Sequence, residues 1–219
     1  MTQSISTQPI IPGDDDALIV VDVQNDFCPG GRLAVADGDA VVPVVNGLAR
    51  RFRHVLLTQD WHPAGHSSFA SSHLGRAPFE TAAMPYGPQI VWPDHCMQGT
   101  EGAAFHTGLD IPHAELVLRK GFRAAIDSYS AFTENDRTTP TGLASYLRER
   151  GITRIFLAGL AFDFCVLYSA EDGAAAGFTV FVIEDACRAI DMEGSAAAAR
   201  DRLASAGAAL IGSEAIAAA

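Results

Sequence analysis

Short apolar runs alternate with helix-like stretches along most of this chain. The runs are rich in Val, Ile and Leu and contain few polar positions, which is typical of strands that are covered on both faces. Six runs have this character: residues 17–24, 54–60, 115–121, 154–160, 179–186 and 208–212. A polar residue within or at the end of such a run therefore calls for a specific explanation.

Helical patterns occupy the stretches between these runs. They cover residues 39–52, 141–151, 163–177 and 195–207. Ser195 is the expected N-cap of the last helix. Strands that alternate with helices predict an α/β fold, a three-layer α/β/α arrangement around a mostly parallel six-stranded sheet. The length suits one domain over residues 1–219, with residues 1–15 as a flexible N-terminal tail.

Residues 61–111, called the irregular segment below, interrupt this alternation. They show neither a strand period nor a helix period, although they contain five of the seven histidines and both tryptophans. A long stretch of this kind within a compact domain is usually functional or disordered, and its aromatic and histidine content argues against disorder. We therefore expect this segment to contribute to a functional site.

The charge balance narrows the classes of partner. The 219 residues include 15 Lys and Arg against 26 Asp and Glu, a formal net charge of −11. Such a chain repels phosphate backbones and anionic lipids, so we expect neither nucleic acid nor a membrane as partner. No apolar run has the length of a membrane span, and the N-terminus does not resemble a secretory signal. The expected location is cytoplasmic, where Cys28, Cys96, Cys165 and Cys187 would be free thiols.

Three reactive side chains lie at the ends of three predicted strands. Asp22 interrupts an apolar run, Lys120 closes another and is the only lysine, and Cys165 opens the helix after a third. In a parallel sheet they would meet at one edge, where Lys120 and the helix N-terminus would lower the pKa of the thiol and Asp22 would transfer its proton. Taken singly, each residue has a structural alternative. Asp22 could be a buried cap, Lys120 a partner in a surface ion pair, and Cys165 a thiol that only packs in the core. Their shared position favours a nucleophilic triad.

A second polar group follows the strand that ends at Asp60. Asp60 and His62 in DWHPAGH are two positions apart, so their side chains point the same way on an extended chain. His66 ends that motif, and His95 lies further along in VWPDHCMQG. Mixed carboxylate and imidazole ligands suit zinc, iron or manganese better than copper(I) or calcium. The alternative is a polar loop that binds no metal.

Five motifs occur in a fixed order between residues 17 and 212. They are VDVQNDF around Asp22, QDWHPAGHSSF around Asp60, VWPDHCMQGTEGAAFH around His95, VLRKGF around Lys120 and GLAFDFCV around Cys165. Together they resemble the nicotinamidases, also described as pyrazinamidases, of the isochorismatase-like cysteine hydrolase superfamily. Two further stretches, DSYSAF at 127–132 and DACRAID at 185–191, are similar to those of bacterial members.

The resemblance implies a catalytic role for the residues at the strand ends. The family's triad falls on Asp22, Lys120 and Cys165. Its oxyanion hole falls on the backbone N–H groups of Ala161 and Cys165, after a cis peptide bond between Leu160 and Ala161.

The resemblance also implies one divalent metal ion. The family's ligands fall on Asp60, His62 and His95. His66 is a further candidate, because members differ in whether a second histidine of this loop binds the metal. Zinc is the expected ion, with iron and manganese as alternatives.

The implied substrate is nicotinamide, hydrolysed to nicotinic acid and ammonia through a Cys165 thioester, in NAD salvage. Pyrazinamide is an expected second substrate. An aromatic clamp for the pyridine ring falls on Phe27 and Trp92, with Tyr129 as a further contributor. Each of these rings could instead belong to the core. The sequence leaves the oligomeric state open, a homo-oligomer included.

One position departs from the family pattern. Phe162 stands where members commonly have Thr, immediately before Asp163; we interpret this as local repacking, because Asp163 and Cys165 are present. Other amidases of the superfamily, such as N-carbamoylsarcosine amidase, lack this metal motif, and isochorismatases lack the cysteine. The alternative from another class is a non-catalytic binding homologue. A redox thiol protein is less favoured, since no second cysteine lies near Cys165.

Overall fold

A computed structural model describes residues 9–217, and within that range six strands form one central sheet. Numbered in chain order with two further strands given below, these are β1 Asp16–Val21, β2 His54–Asp60, β5 Leu116–Lys120, β6 Arg154–Leu160, β7 Thr179–Arg188 and β8 Ala209–Ile211. Their order across the sheet is β5-β2-β1-β6-β7-β8, and every neighbouring pair is parallel. The predicted six-stranded sheet is confirmed, and it is parallel throughout.

The helices lie on both faces of this sheet. They are α1 Val41–Ala49, α2 Leu143–Glu149, α3 Leu167–Ala175 and α4 Ser195–Ser205. Buried residues of α1 pack with Leu18 and Val20 of β1, whereas those of α2, α3 and α4 pack in the cluster that contains Ala17 and Ile19. Alternate residues of one buried strand thus serve two cores, which explains its continuous apolar run. This is the predicted three-layer α/β/α arrangement.

Two predicted boundaries differ from the structure for identifiable reasons. The first strand ends at Val21 because Asp22 has φ +48°, a left-handed conformation that stops the ladder. The helix predicted from residue 163 begins as a π-helical turn, Phe162–Val166, and continues as α3.

The prediction that Ser195 caps the last helix is wrong. Gly194, with φ +84°, precedes α4, and Ser195 is its first residue. The Ser195 hydroxyl donates instead to Asp163, 2.5 Å away, which lies in the π-helical turn. The serine therefore joins two elements rather than starting one.

The irregular segment contains one small hairpin, β3 Thr81–Met84 and β4 Gly87–Ile90, and a short 3-10 turn at Ala70–Ser72. Its first residue is hydrogen-bonded to the sheet, since the Trp61 N–H donates to the Lys120 carbonyl at 2.9 Å. Isolated bridges then pair His62 with Met97 and Phe69 with Trp92. The segment is held largely by such single contacts rather than by a ladder.

Part of the predicted N-terminal tail is tied to the other end of the chain. Ile10 forms a parallel bridge with Ile216, and its N–H donates to the Ala215 carbonyl at 2.7 Å. Residues 1–8 of that tail lie outside the described residues. Between residues 9 and 217, no helix has both the length and the apolar character needed to cross a membrane.

Candidate active site

The carboxyl ends of four adjacent strands carry the predicted triad and Asp60. Lys120 ends β5, Asp60 ends β2 directly opposite it in the register, Asp22 follows β1, and Cys165 lies in the turn after β6. The Lys120 Nζ atom is 2.7 Å from Asp22 Oδ2 and 3.4 Å from Cys165 Sγ. The structure therefore brings Asp22, Lys120 and Cys165 into contact, as the strand order requires of residues at one edge.

Lys120 also reaches the second polar group. Its Nζ atom lies 2.5 Å from Asp60 Oδ1 and donates to the Ser128 carbonyl at 3.0 Å. Burial alone would lower the pKa of Lys120, but the carboxylates of Asp22 and Asp60 raise it well above its ordinary value. The side chain is thus a buried ammonium whose charge is shared between two carboxylates.

The Cys165 thiol has a carboxylate nearby, since an oxygen of Asp22 lies within 4.8 Å of its sulfur. Burial raises the pKa of Cys165 well above its ordinary value, and this outweighs the opposing effect of Lys120, while Asp22 raises the pKa further. The expectation of a lowered thiol pKa is therefore wrong, because Cys165 is enclosed, although it lies in the π-helical turn that begins the helix. Burial also raises the pKa of Asp22, whose Oδ1 accepts a hydrogen bond of 2.6 Å from Thr58.

The three predicted metal ligands also converge. One ligand atom from each of Asp60, His62 and His95 lies within 4.8 Å of the others. The Nδ1–H of His95 donates to the Pro93 carbonyl at 2.8 Å, which leaves Nε2, 3.6 Å from Asp60 Oδ2, with a lone pair. His62 Nε2 is 3.1 Å from Asp127 Oδ1, and its buried Nδ1 has no hydrogen-bond partner among the described residues. These free lone pairs fit a metal ion.

The charge of this region also favours a cation. Three buried carboxylates, Asp22, Asp60 and Asp127, accompany one ammonium, Lys120. Burial would raise the pKa of Asp60, but Lys120 and His62 together lower it below its ordinary value. Burial would likewise raise the pKa of Asp127, but the hydrogen bond from His62 lowers it. Ionised carboxylates in excess of ammonium groups need a positive partner when buried.

His66 lies beside this group but uses both ring nitrogens elsewhere. Its Nδ1 is 2.7 Å from the Ser68 hydroxyl oxygen, and its Nε2 is 2.9 Å from the Arg123 carbonyl. A carbonyl can only accept, so Nε2 carries the proton and Nδ1 accepts from Ser68. Burial lowers the pKa of His66, which agrees with this neutral tautomer. The ring has no lone pair left for a metal.

A narrow cavity opens onto both groups. Its wall includes Cys165, Asp60 and His95 together with aromatic and apolar side chains: Phe27, Trp92, Tyr129, Phe164, Leu33 and Ile190. The Phe27 ring contacts the His95 ring at 5.5 Å, and the Trp92 ring stands perpendicular to Phe164 at 4.9 Å. The three predicted clamp residues thus face one space that also holds the thiol.

The turn that carries the thiol has the expected backbone. The peptide bond between Leu160 and Ala161 is cis, and Ala161 lines the cavity beside Cys165. Phe162 points away into the core that includes α3 and α4, with the Arg200 guanidinium 5.4 Å from its ring. The loss of a Thr hydroxyl here is thus accommodated by burial of the ring.

Several residues of the site were not singled out from the sequence. Asp127, Phe164 and Ile190 line the cavity, and Thr58 holds Asp22. Thr58 had a detectable signal, since it is a polar residue in a buried strand two positions before Asp60. Gln89, which donates a hydrogen bond to Asp127, had no such signal, because it lies in an aperiodic stretch and its side-chain partners are distant in the sequence.

Comparisons with known proteins assign the chain to a family. The isochorismatase domain model matches residues 16–215, and the chain therefore belongs to the isochorismatase family. The nicotinamidase of Acinetobacter baylyi is 58% identical over 179 residues, which cover 82% of this chain and 84% of that protein.

Solved structures show the same likeness. A nicotinamidase/pyrazinamidase of Acinetobacter baumanii superposes with a TM-score of 0.92 and 53% identity, covering 92% of this chain and 98% of that one. The pyrazinamidase of Pyrococcus horikoshii in complex with zinc gives a TM-score of 0.74 at 33% identity, covering 90% and 99% of the two chains.

Proposed function

We propose that this protein is a nicotinamidase that hydrolyses nicotinamide to nicotinic acid and ammonia, a reaction of NAD salvage, and that it also accepts pyrazinamide. The observation that carries the proposal is one aromatic cavity onto which both Cys165 and the Asp60 and His95 side chains open. The similarity to nicotinamidases supports the same substrate. The four free thiols support a cytoplasmic location.

In this proposal the pyridine ring lies between Phe27 and Trp92, with Tyr129 at its side. Asp60, His62 and His95 would hold one divalent ion, and zinc is favoured because a pyrazinamidase of the same fold binds it. The ion would orient the substrate through the pyridine nitrogen. His66 serves as a structural neighbour and not as a ligand, because both of its nitrogens are used.

The residues at the sheet edge would perform the hydrolysis. Cys165 Sγ attacks the carboxamide carbon as its proton moves to Asp22, and the N–H groups of Ala161 and Cys165 stabilise the oxyanion. Asp22 then gives the proton to the departing nitrogen, so ammonia leaves and a thioester remains. Asp22 next takes a proton from water, whose oxygen attacks the thioester to release the acid, and the proton returns to sulfur. Lys120 keeps the carboxylate and the sulfur in place.

Ammonia release from nicotinamide tests this proposal. Cys165→Ala should reduce kcat by about 10⁶-fold, the loss seen when the nucleophile of another covalent triad is removed. Cys187→Ala is the matched control, because Cys187 is another buried thiol of the same core and does not line the cavity. Equal turnover in the two variants, or none in the zinc-loaded parent, would refute the proposal.

A further inference from the structure

Gln89 occupies an unusual place in the irregular segment. It lies in β4 of the small hairpin, and only 3% of its surface is exposed. Its Nε2 atom is 2.9 Å from Asp127 Oδ2 and 2.8 Å from the Tyr129 hydroxyl oxygen. Its Oε1 atom accepts a hydrogen bond of 2.8 Å from Asn135 Nδ2. The Nε2 atom also lies 3.0 Å from the carbonyl oxygen of the adjacent Ile90. The side-chain partners of this amide all lie in the 127–135 stretch of the chain.

The neighbouring groups fix the orientation of this amide. The Tyr129 backbone N–H can only donate, and it lies 3.0 Å from Asn135 Oδ1. The Asn135 Nδ2 group must therefore face Gln89 as a donor, so Gln89 presents its carbonyl to Asn135 and its NH2 group to Asp127 and Tyr129. The ionised Asp127 carboxylate is an acceptor, which agrees with this assignment.

Each of the two hydrogen bonds leads to a different part of the site. Asp127 accepts from His62 at 3.1 Å through its other oxygen, so it fixes the ring of a proposed metal ligand. Tyr129 accepts at 3.0 Å from the indole N–H of Trp92, a proposed wall of the pyridine site. Within residues 9–217, Gln89 is the only side chain that donates to both Asp127 and Tyr129.

We propose that Gln89 is a positioning residue that couples the metal site to the aromatic clamp. The inference rests on the proposed function in one respect, namely that the cavity binds a pyridine ring. Gln89 touches neither the sulfur nor the substrate cavity itself; it acts through Asp127 on His62 and through Tyr129 on Trp92. A shift of either group is then transmitted to the other, because both share one NH2 group.

The first test compares Gln89→Leu with Gln98→Leu. Gln98 is the matched control, because it lies in the same segment and its side-chain amide donates one exposed hydrogen bond of 3.0 Å, to the backbone carbonyl of Trp61. Zinc affinity, measured by chelator competition, should fall roughly tenfold in Gln89→Leu, the lower end of the loss found for outer-sphere partners of metal ligands. The KM for nicotinamide should rise while kcat changes little, since the triad lies outside this network. Gln98→Leu should change neither quantity.

The second test is a double-mutant cycle with Tyr129→Phe, which removes the hydroxyl but keeps the ring. Tyr129→Phe should weaken zinc binding in the parent and have no further effect in Gln89→Leu, because the connection is then already lost. An equal effect of Tyr129→Phe in both backgrounds, or none in the parent, would overturn the coupling. Gln89→Met replaces Gln89→Leu throughout if thermal unfolding shows that the leucine variant is not folded.

Zinc affinity is measured without turnover, so this outcome is separable from the proposed activity. A chain that shows the coupling but releases no ammonia would keep the role of Gln89 and refute the substrate. If the protein releases ammonia but the two substitutions change the zinc affinity additively, the proposed substrate stands and the coupling role of Gln89 is refuted. Nicotinic acid binding to the zinc-loaded protein, measured by calorimetry, should weaken in Gln89→Leu and not in Gln98→Leu.

Discussion

The two halves of the candidate site are positioned by different means. Lys120 ends a strand of the central sheet, Asp22 and Cys165 follow two others, and the pairing of β5, β2, β1 and β6 fixes their separation. The irregular segment has no such ladder at its functional residues, and isolated backbone bridges, side-chain hydrogen bonds and ring contacts place His62 and its neighbours. The thiol half is thus set by the pairing of the sheet strands, whereas the metal half depends on single bridges and on side-chain hydrogen bonds that can be removed one at a time.

Lys120 is where the two halves meet, and its removal should have the largest effect. Lys120→Met would leave the buried carboxylates of Asp22 and Asp60 without their shared ammonium. We expect the free energy of unfolding to fall by about 3–5 kcal/mol and turnover to disappear. Urea unfolding of the purified protein measures the first effect.

Arg119→Met is the control for this experiment. Arg119 is the preceding residue of β5, is exposed, and lies 3.9 Å over the Trp61 ring. Removal of the Arg119 guanidinium should lower the free energy of unfolding by less than about 1 kcal/mol. Similar destabilisation by the two substitutions would show that the buried ammonium is not what joins the halves.

His95→Ala should weaken zinc binding in the metal half without changing the reactivity of the thiol half. The zinc affinity should fall at least about 100-fold, because loss of a ligand exceeds the loss of an outer-sphere partner. Alkylation of Cys165 by iodoacetamide should keep its rate, since His95 does not contact the triad. His106→Ala controls for removal of a histidine from the same segment, because His106 belongs to none of the candidate metal groups of residues 9–217. A change in thiol reactivity in His95→Ala would contradict the separation.

The same contrast explains what the sequence could predict. Strand ends in a parallel sheet lie at one edge, so Asp22, Lys120 and Cys165 could be grouped from periodicity alone. His62 follows a strand directly and could be grouped with Asp60 for the same reason. His95 lies over thirty residues further on, in a stretch without a period, so its residue type made it a candidate and the resemblance to a family assigned it as a ligand.

The remaining residues depend on contacts that no local pattern encodes. Gln89 and Asp127 are 38 positions apart, and their hydrogen bond exists only because the hairpin folds over the 127–135 stretch. The pKa of Cys165 was predicted in the wrong direction for a related reason. Sequence shows which charges are near the thiol, but the degree of burial, which dominates here, follows from the packed structure.

His66→Ala tests whether the metal half has three protein ligands or four. His66 fills hydrogen bonds to Ser68 and to the Arg123 carbonyl, so its removal leaves buried groups without partners. We expect a loss of about 1–3 kcal/mol in the free energy of unfolding. The zinc content should remain one ion per chain, with an affinity well above that of His95→Ala. A zinc affinity as low as that of His95→Ala would make His66 a ligand.

Asp163→Asn should have the smallest effect of these substitutions, and that effect should be confined to the thiol half of the site. The Asp163 carboxylate accepts from the backbone N–H groups of Ile190 and Asp191 at 3.0 and 2.8 Å, and so holds Ile190 in the cavity wall beside Cys165. An amide keeps one acceptor, but its NH2 group then faces the other backbone N–H, which loses its partner; because both N–H groups are only part-buried, we expect a loss of about 1 kcal/mol, the lower end for an unpaired donor. The KM for nicotinamide should rise and zinc affinity should stay constant. The exposed Asp201→Asn on α4 is the control, and a fall in zinc affinity in Asp163→Asn alone would mean that the two halves communicate by a second route besides Lys120.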